Sequence, residues 1–348
     1  MKKLFLFIIS CIIYHFAQAQ TTDSLNYERL LRYYQSKQYV AAAEYLKGLS
    51  KDAADVKKLQ QLGYANFMSG KYEDAEKDYL RANELLPGDP VTLTGLADLS
   101  GVLNQTEMAN KRYLEVVKAD SNNFNAYRQL AKLAPHAQHD LRKNYLIKAN
   151  YLNPIDAEVA AELADTYFKE TQFIKANELL STALAADSTN LVTIGAKIPV
   201  SMALKKYNEA LQYGKKLLKI YKSPPESLLF QMAMCYREIK DHKNAVEFFK
   251  QAINEGISPK TASYYGLLGE SYESMKQNKE AIESYKRGLL FENNGSLYYN
   301  LALLYEDKLN DKKNAIGYYT QYLSSIKNPE KQKRHIAFIK NKIEELKR

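Results

Sequence analysis

Three stretches of this chain, "GKYEDAEKDYLRANELLPGDP" (residues 70–90), "TQFIKANELLSTALAADSTN" (171–190) and "KQNKEAIESYKRGLLFENN" (276–294), fall on one skeleton. Its order is aromatic-x-x-Ala-x-x-x-aromatic-x-x-small, with unrelated residues in between. Sliding it along the chain gives a period of about 34 residues, the spacing of a repeat array rather than of a single globule. Each unit opens with a helical pattern carrying a large and then a small residue near its middle: Leu62-Gly63, Leu96-Ala97, Leu130-Ala131, Leu163-Ala164, Leu268-Gly269 and Leu301-Ala302. A second helical pattern follows, opened by Ala42, Ala75, Ala109, Ala176, Ala210, Ala245, Ala281 or Ala315. Small residues at fixed positions let two helices approach closely, and large ones fill the wedge beside them. One such hairpin cannot bury its apolar face alone, so successive units must stack.

With only 14 Gly and 9 Pro in 348 residues there is little punctuation for a many-stranded fold, and the chain reads as all-α. The units start near Asp23, Val56, Pro90, Phe124, Ala157, Leu191, Glu226, Ala262 and Gly295. Unit four is short and carries Pro135 where its first helix should continue, so that helix is predicted to end early. Ser223-Pro224-Pro225 marks the place where stacking would loosen.

These residues resemble the tetratricopeptide repeat. Unit two is the best match, with Leu59, Leu62, Gly63, Tyr72, Ala75, Tyr79, Ala82 and Pro87 where the family places large, large, small, aromatic, small, aromatic, small and Pro. The family's Trp is absent throughout. The resemblance covers essentially the whole chain after its first twenty residues. It implies a right-handed superhelical α-solenoid of stacked antiparallel helix pairs over residues 20–328. Residues 329–348 break the pattern; Ile336, Ile339, Ile343 and Leu346 share one helical face, as expected of a basic capping helix.

The resemblance also implies a concave groove lined by the first helices. In units one and two the groove positions fall on Tyr27, Tyr34, Tyr64, Phe67 and Met68. In unit four they fall on Asn125, Arg128 and Lys132, and in units eight and nine on Glu270, Glu273, Tyr299, Glu306 and Asp307. Such a groove would run aromatic, then basic, then acidic, and would take a protein or peptide ligand.

Residues 1–19 have a different character. Lys2 and Lys3 precede an apolar run from Leu4 to Ile13, and Ala17-Gln18-Ala19 follows, the order of an export signal cleaved near Ala19. Such a chain would be periplasmic or secreted. The alternative reading makes Cys11 an acylated N-terminus and the protein a lipid-anchored subunit of an outer-envelope assembly or secretion complex. Cleavage would remove Lys2 and Lys3 and lower the formal charge from +9 to +7. Residues 329–348 hold seven basic and three acidic side chains, so most of that charge is a tail and not a nucleic-acid stripe. Membrane contact is left to the lipid anchor or the basic helix.

No His-Glu-x-x-His, phosphate loop or Gly-x-Ser-x-Gly motif is present, and the reading is of a non-enzyme with no cofactor and no metal. His136, His139 and Asp140 are the nearest approach to a metal set. Cys235, among Met232, Ala233 and Tyr236, reads as a buried thiol.

Overall fold

The computed structural model describes residues 24–48, 55–135, 137–256 and 258–348, with side chains from Glu28 onward. The export signal, Cys11, His136 and the side chain of Tyr27 lie outside the described residues. Among the described residues the regular structure is entirely helical, and consecutive helices pack in pairs. The described residues form two compact units that divide between Asn153 and Pro154.

The first unit holds four pairs: α1 (Ser24–Gln35) with α2 (Tyr39–Gly48), α3 (Val56–Met68) with α4 (Tyr72–Leu85), α5 (Pro90–Val102) with α6 (Thr106–Ala119), and α7 (Phe124–Leu133) with α8 (His139–Leu152). Within it each second helix also packs on the first helix of the next pair. The second unit holds α9 (Ala157–Lys169) with α10 (Phe173–Ala186), α11 (Leu191–Ala203) with α12 (Tyr207–Leu218), and α13 (Glu226–Glu238) with α14 (His242–Glu255). It continues with α15 (Thr261–Ser274) and α16 (Asn278–Leu289), then α17 (Gly295–Asp307) and α18 (Lys312–Ser325). A short turn of 3-10 helix at Pro329–Gln332 leads into α19 (Lys333–Lys347), which packs on α18.

The two helices of a pair start by different chemistry. Most first helices are capped by side chains: Asp89 accepts from the Thr92 N–H at 2.9 Å, and Asn123, Asp156, Asn190 and Asn294 do the same for α7, α9, α11 and α17, whereas α13 and α15 start without one. Most second helices have no such cap. They are launched by a turn with one left-handed residue, Lys37, Gly70, Asn104, Thr171, Lys205, Lys240, Lys276 or Asn310, all with φ between 50° and 78°. At Gly70, for example, the Lys71 N–H returns to the Asn66 carbonyl at 2.9 Å and the Gly70 N–H to Phe67 at 3.0 Å. The chain thereby reverses in three residues, which is what sets two helices antiparallel.

The small positions do the packing that the spacing implies. Ala42, Ala75, Ala109, Ala176, Ala210, Ala245, Ala281 and Ala315 are all fully buried. Tyr79 is seated between two glycines: a β-carbon on Gly63 would lie 2.9 Å from its ring, and one on Gly95, in the next pair, 2.4 Å. A side chain at either position would have to displace the ring. Unit four ends its first helix at Leu133, two residues before Pro135, as the sequence predicts. At Ser223-Pro224-Pro225 one apolar core continues from Leu184 to Ile343 across the proline pair. Ile339 and Ile343 of α19 are buried in that core, with Leu346 packed against it.

Candidate functional site

First helices of successive pairs touch: α3 packs against α5 in the first unit, and α9 against α11 and α11 against α13 in the second. Several sequence-predicted groove residues lie at such contacts, and many of them are one another's partners.

In the first unit the Tyr34 and Tyr64 rings meet edge to face at 5.4 Å, with Tyr39 6.3 Å from Tyr64. The Tyr34 hydroxyl donates to the Gln61 carbonyl at 3.2 Å, tying α1 to α3. Burial, followed by the neighbouring Tyr64, raises its pKa, and Tyr64 is raised by burial and then by Tyr39. Phe67 packs against a core of Ala75 and Tyr79 from its own pair and Leu96 from the next. Tyr64 and Met68 keep 41% and 40% of their surface open, so these two can meet a ligand.

The basic stretch of unit four is built around a carboxylate that sequence reasoning missed. Asp98 Oδ1 accepts from the Tyr113 hydroxyl at 2.5 Å and from Asn125 Nδ2 at 3.3 Å, and Arg128 donates to Asn125 Oδ1 at 3.1 Å. Burial raises the Asp98 pKa even though both hydrogen bonds and the Arg128 charge oppose it. Arg128 also lies over the Phe124 ring, at 5.6 Å. Asn125 and Arg128 are therefore locked into one network with Asp98, while Lys132 is exposed.

In the second unit Glu270 pairs with Arg237 of the preceding pair at 3.5 Å. The Tyr285 hydroxyl donates to Glu273, and the Tyr319 hydroxyl donates to Glu306 Oε2 at 2.6 Å. Lys342 of α19 reaches the same Glu306 oxygen at 3.1 Å. Tyr299 is packed between Tyr322 at 5.3 Å and His335 of α19 at 5.8 Å. The acidic stretch is thus largely compensated from within, and its last members are engaged by the terminal helix. Glu270 and Asp307 remain exposed.

Lys197 was not singled out by sequence reasoning. It is 1% exposed, in the Leu position of its repeat, and its ammonium donates to the Asn177 carbonyl (3.2 Å), Asn177 Oδ1 (2.7 Å) and Ser181 Oγ (2.5 Å). Burial lowers its pKa, while Glu209 at 3.9 Å opposes the shift. The signal was a charged break in the row of leucines, where Lys197-Ile198 replaces Leu-small.

Cys235 is fully buried, and burial, then Glu238, pushes its thiol up to about 12, so it is an inert core residue. Among the described residues no group of three His, Cys, Asp or Glu side chains could hold a metal ion, and no helix is long and apolar enough to cross a membrane. His139 opens α8 in an exposed position.

The sequence profile of the tetratricopeptide repeat matches residues 226–255, 262–294 and 295–329, which are the pairs α13–α14, α15–α16 and α17–α18. The chain carries tetratricopeptide repeats. The TPR repeat-containing protein MJ1428 of Methanocaldococcus jannaschii is similar at 23% identity over 83% of this chain and 52% of that protein. The Homo sapiens protein O-mannosyl-transferase TMTC1 is 28% identical over 41% of this chain and 16% of its own length. The chain therefore spans about half of the first relative and a small part of the second. Among solved structures, MamA is similar at 21% identity and a TM-score of 0.45, over 50% of this chain and 94% of its own. YrrB, described as a TPR protein with an unusual peptide-binding site, is similar at 16% identity and a TM-score of 0.44, over 52% and 91%.

Proposed function

We propose that this tetratricopeptide-repeat chain is a non-catalytic scaffold that holds a protein or peptide ligand against its first-helix faces, in the cell envelope or the secreted space. One observation carries the reading. Tyr64 and Met68 stay open beside the Tyr34–Tyr39 cluster, although their repeat neighbours on the same helices are packed away. Rigid aromatic surface fixed by its neighbours loses little entropy on binding, so it favours recognition. The exposed Lys132 in the same unit, and Glu270 and Asp307 in the other, supply charge for orientation rather than affinity. Among the described residues the buried Cys235 thiol and the tyrosine-bonded Glu273 and Glu306 favour a non-catalytic reading of these faces.

The test is in-cell photo-crosslinking from p-benzoylphenylalanine placed at Tyr64 or Lys132, with the outward-facing Lys250 as control. A discrete protein adduct from Tyr64 and Lys132, absent at Lys250, is the expected result. Equal labelling from all three positions would defeat the reading. Fractionation of the same cells tests the location, with the envelope or medium expected to hold the adduct.

A further inference from the structure

In the last repeat the first-helix face is already occupied, by a segment of the same chain. Helix α19 packs on α18 as α17 packs on α16, and Ile339 and Ile343 enter the core with the four-residue spacing of Leu301 and Tyr305 on α17. It sits where the first helix of a further repeat would sit, although Lys340, exposed, stands in place of the small residue that follows the large one. A cap needs only to cover apolar surface. Helix α19 does more, because it brings His335, Phe338 and Lys342, at i, i+3 and i+7 on one side of the helix, against Tyr299 and Glu306. The His335 ring lies 5.8 Å from Tyr299 and 5.6 Å from Tyr322, and Phe338 stacks on it at 6.2 Å. The Lys342 ammonium reaches Glu306 Oε2 at 3.1 Å and lies 5.7 Å from the Tyr319 ring centre and 5.9 Å from that of Phe338. Glu306 and Lys342 keep only 19% and 22% of their side chains in water, so the pair selects for charge and position.

The same helix is lightly seated. Helices α9, α11, α13, α15 and α17 bury five to eight residues each, whereas α19 buries Ile339 and Ile343. Residues 327–334, which join it to α18, are all exposed, and their ion pair, Lys333 with Glu330, is local. Helix α19 can leave as one piece, giving up two isoleucines, one ion pair and a set of ring contacts. We propose that α19 is an intramolecular occupant of a helix-binding site on the last repeat, and that the partner it holds off is an amphipathic basic helix of the same pattern. That pattern is rings at i and i+3, a lysine at i+7 and aliphatic residues at i+4 and i+8. Resting on the first-helix faces as the binding surface, the assignment gives one of them its ligand class. Access is set by the fraction of chains whose own helix has left, because only those can take a partner.

The probe is a fluorescein-labelled peptide of residues 329–348, titrated by anisotropy against the full chain. Wild type should bind it weakly. The double variant Ile339→Asp, Ile343→Asp detaches α19 and leaves the site in place, and should bind the peptide at least about tenfold more tightly. Lys342→Glu keeps the apolar contacts but sets two carboxylates together, so it should give a smaller gain in the same direction. In the detached chain Glu306→Lys should abolish the gain, and a peptide carrying Lys342→Glu should restore it. Only a direct contact between the two positions gives that rescue. Circular dichroism checks the helicity of each variant. Hydrogen exchange on wild type should find the α19 amides at least about tenfold faster than those of α15. Equal affinity of wild type and detached chain, binding by neither, loss at Glu306→Lys without rescue, or α19 protected as fully as α15 would each overturn the inference. The scaffold reading fails separately. A crosslink from Tyr64 or Lys132 without peptide binding removes this inference alone, and peptide binding without such a crosslink removes only the first-unit reading.

Discussion

Lys197 occupies the place that Leu62, Leu96, Leu130, Leu163, Leu268 and Leu301 fill in six other repeats. Its three hydrogen bonds satisfy the ammonium but do not repay its removal from water in full, which is why its pKa is lowered. Restoring the repeat's own residue should therefore help: Lys197→Leu is expected to raise the free energy of unfolding by about 1–2 kcal/mol at neutral pH. The sign with pH follows from the direction of the shift. A lysine whose folded pKa is depressed destabilises fully while it is charged in both states. That penalty fades as pH rises from the lowered folded value toward the ordinary 10.5. The stability gap between Lys197→Leu and wild type should thus narrow above neutral pH, as urea titrations at several pH values would show. Comparing the two chains cancels the buried tyrosines, whose raised pKa values act from about 10 upward and with the opposite sign. A gap that does not depend on pH would mean the ammonium is already neutral or fully compensated. At this scale the sequence was only partly legible. The break in the leucine row was visible in the residues, but whether a lysine there is buried or reaches solvent depends on Asn177 and Ser181, which lie 20 and 16 residues away.

The recurrent turn between the helices of a pair is the element whose chemistry varies most against constant geometry. Gly70 adopts φ 78° without strain, whereas Lys240 holds φ 63° with a β-carbon crowding its own backbone. Opposite substitutions should have opposite effects. Gly70→Ala is expected to lower stability by about 1 kcal/mol, and Lys240→Gly to raise it by about 0.5–1 kcal/mol, net of the freedom glycine adds to the unfolded chain. Equal signs for the two in thermal unfolding would show that the turn's backbone is not what limits it. The helix pairs themselves were readable because stacking forces small residues to fixed places, and Ala42, Ala75 and Ala109 announce their helices wherever they occur. The early end of α7 was readable from Pro135 for a local reason. The polar pairing of the first-helix faces was not. Asp98 looks like an ordinary solvated acid until Tyr113 and Asn125 are brought to it from the second helix of its own pair and the first helix of the next. Glu273 and Glu306 look like free acids until tyrosines 12 and 13 residues on reach back to them. Periodicity reports where a helix packs, not which polar partner the neighbouring repeat supplies.

In a stacked array stability is a sum over neighbouring interfaces, and an end is held from one side only. Helix α19 closes the end of the second unit by burying Ile339 and Ile343 in its core, and Lys342 and His335 cover Glu306 and Tyr299. A chain ending at residue 328 should keep most of its helicity while its last pair loosens. Hydrogen exchange is expected to show the amides of α17 and α18 losing about 2–4 kcal/mol of protection, the worth of two buried isoleucines, with α9 unaffected. Uniform loss along the chain would mean that the unit melts as one body and that the nearest-neighbour picture fails. The Tyr79 ring, seated between Gly63 of its own pair and Gly95 of the next, has a consequence for how such a chain can be rearranged. Repeat arrays grow and shrink by duplicating or deleting whole units, and that traffic is free only where each unit accepts any neighbour. Here the second repeat carries the key and the third the lock. A rearrangement that separates them would seat the Tyr79 ring against a neighbour lacking the open space at Gly95, so an engineer lengthening this array would insert new units on either side of the two.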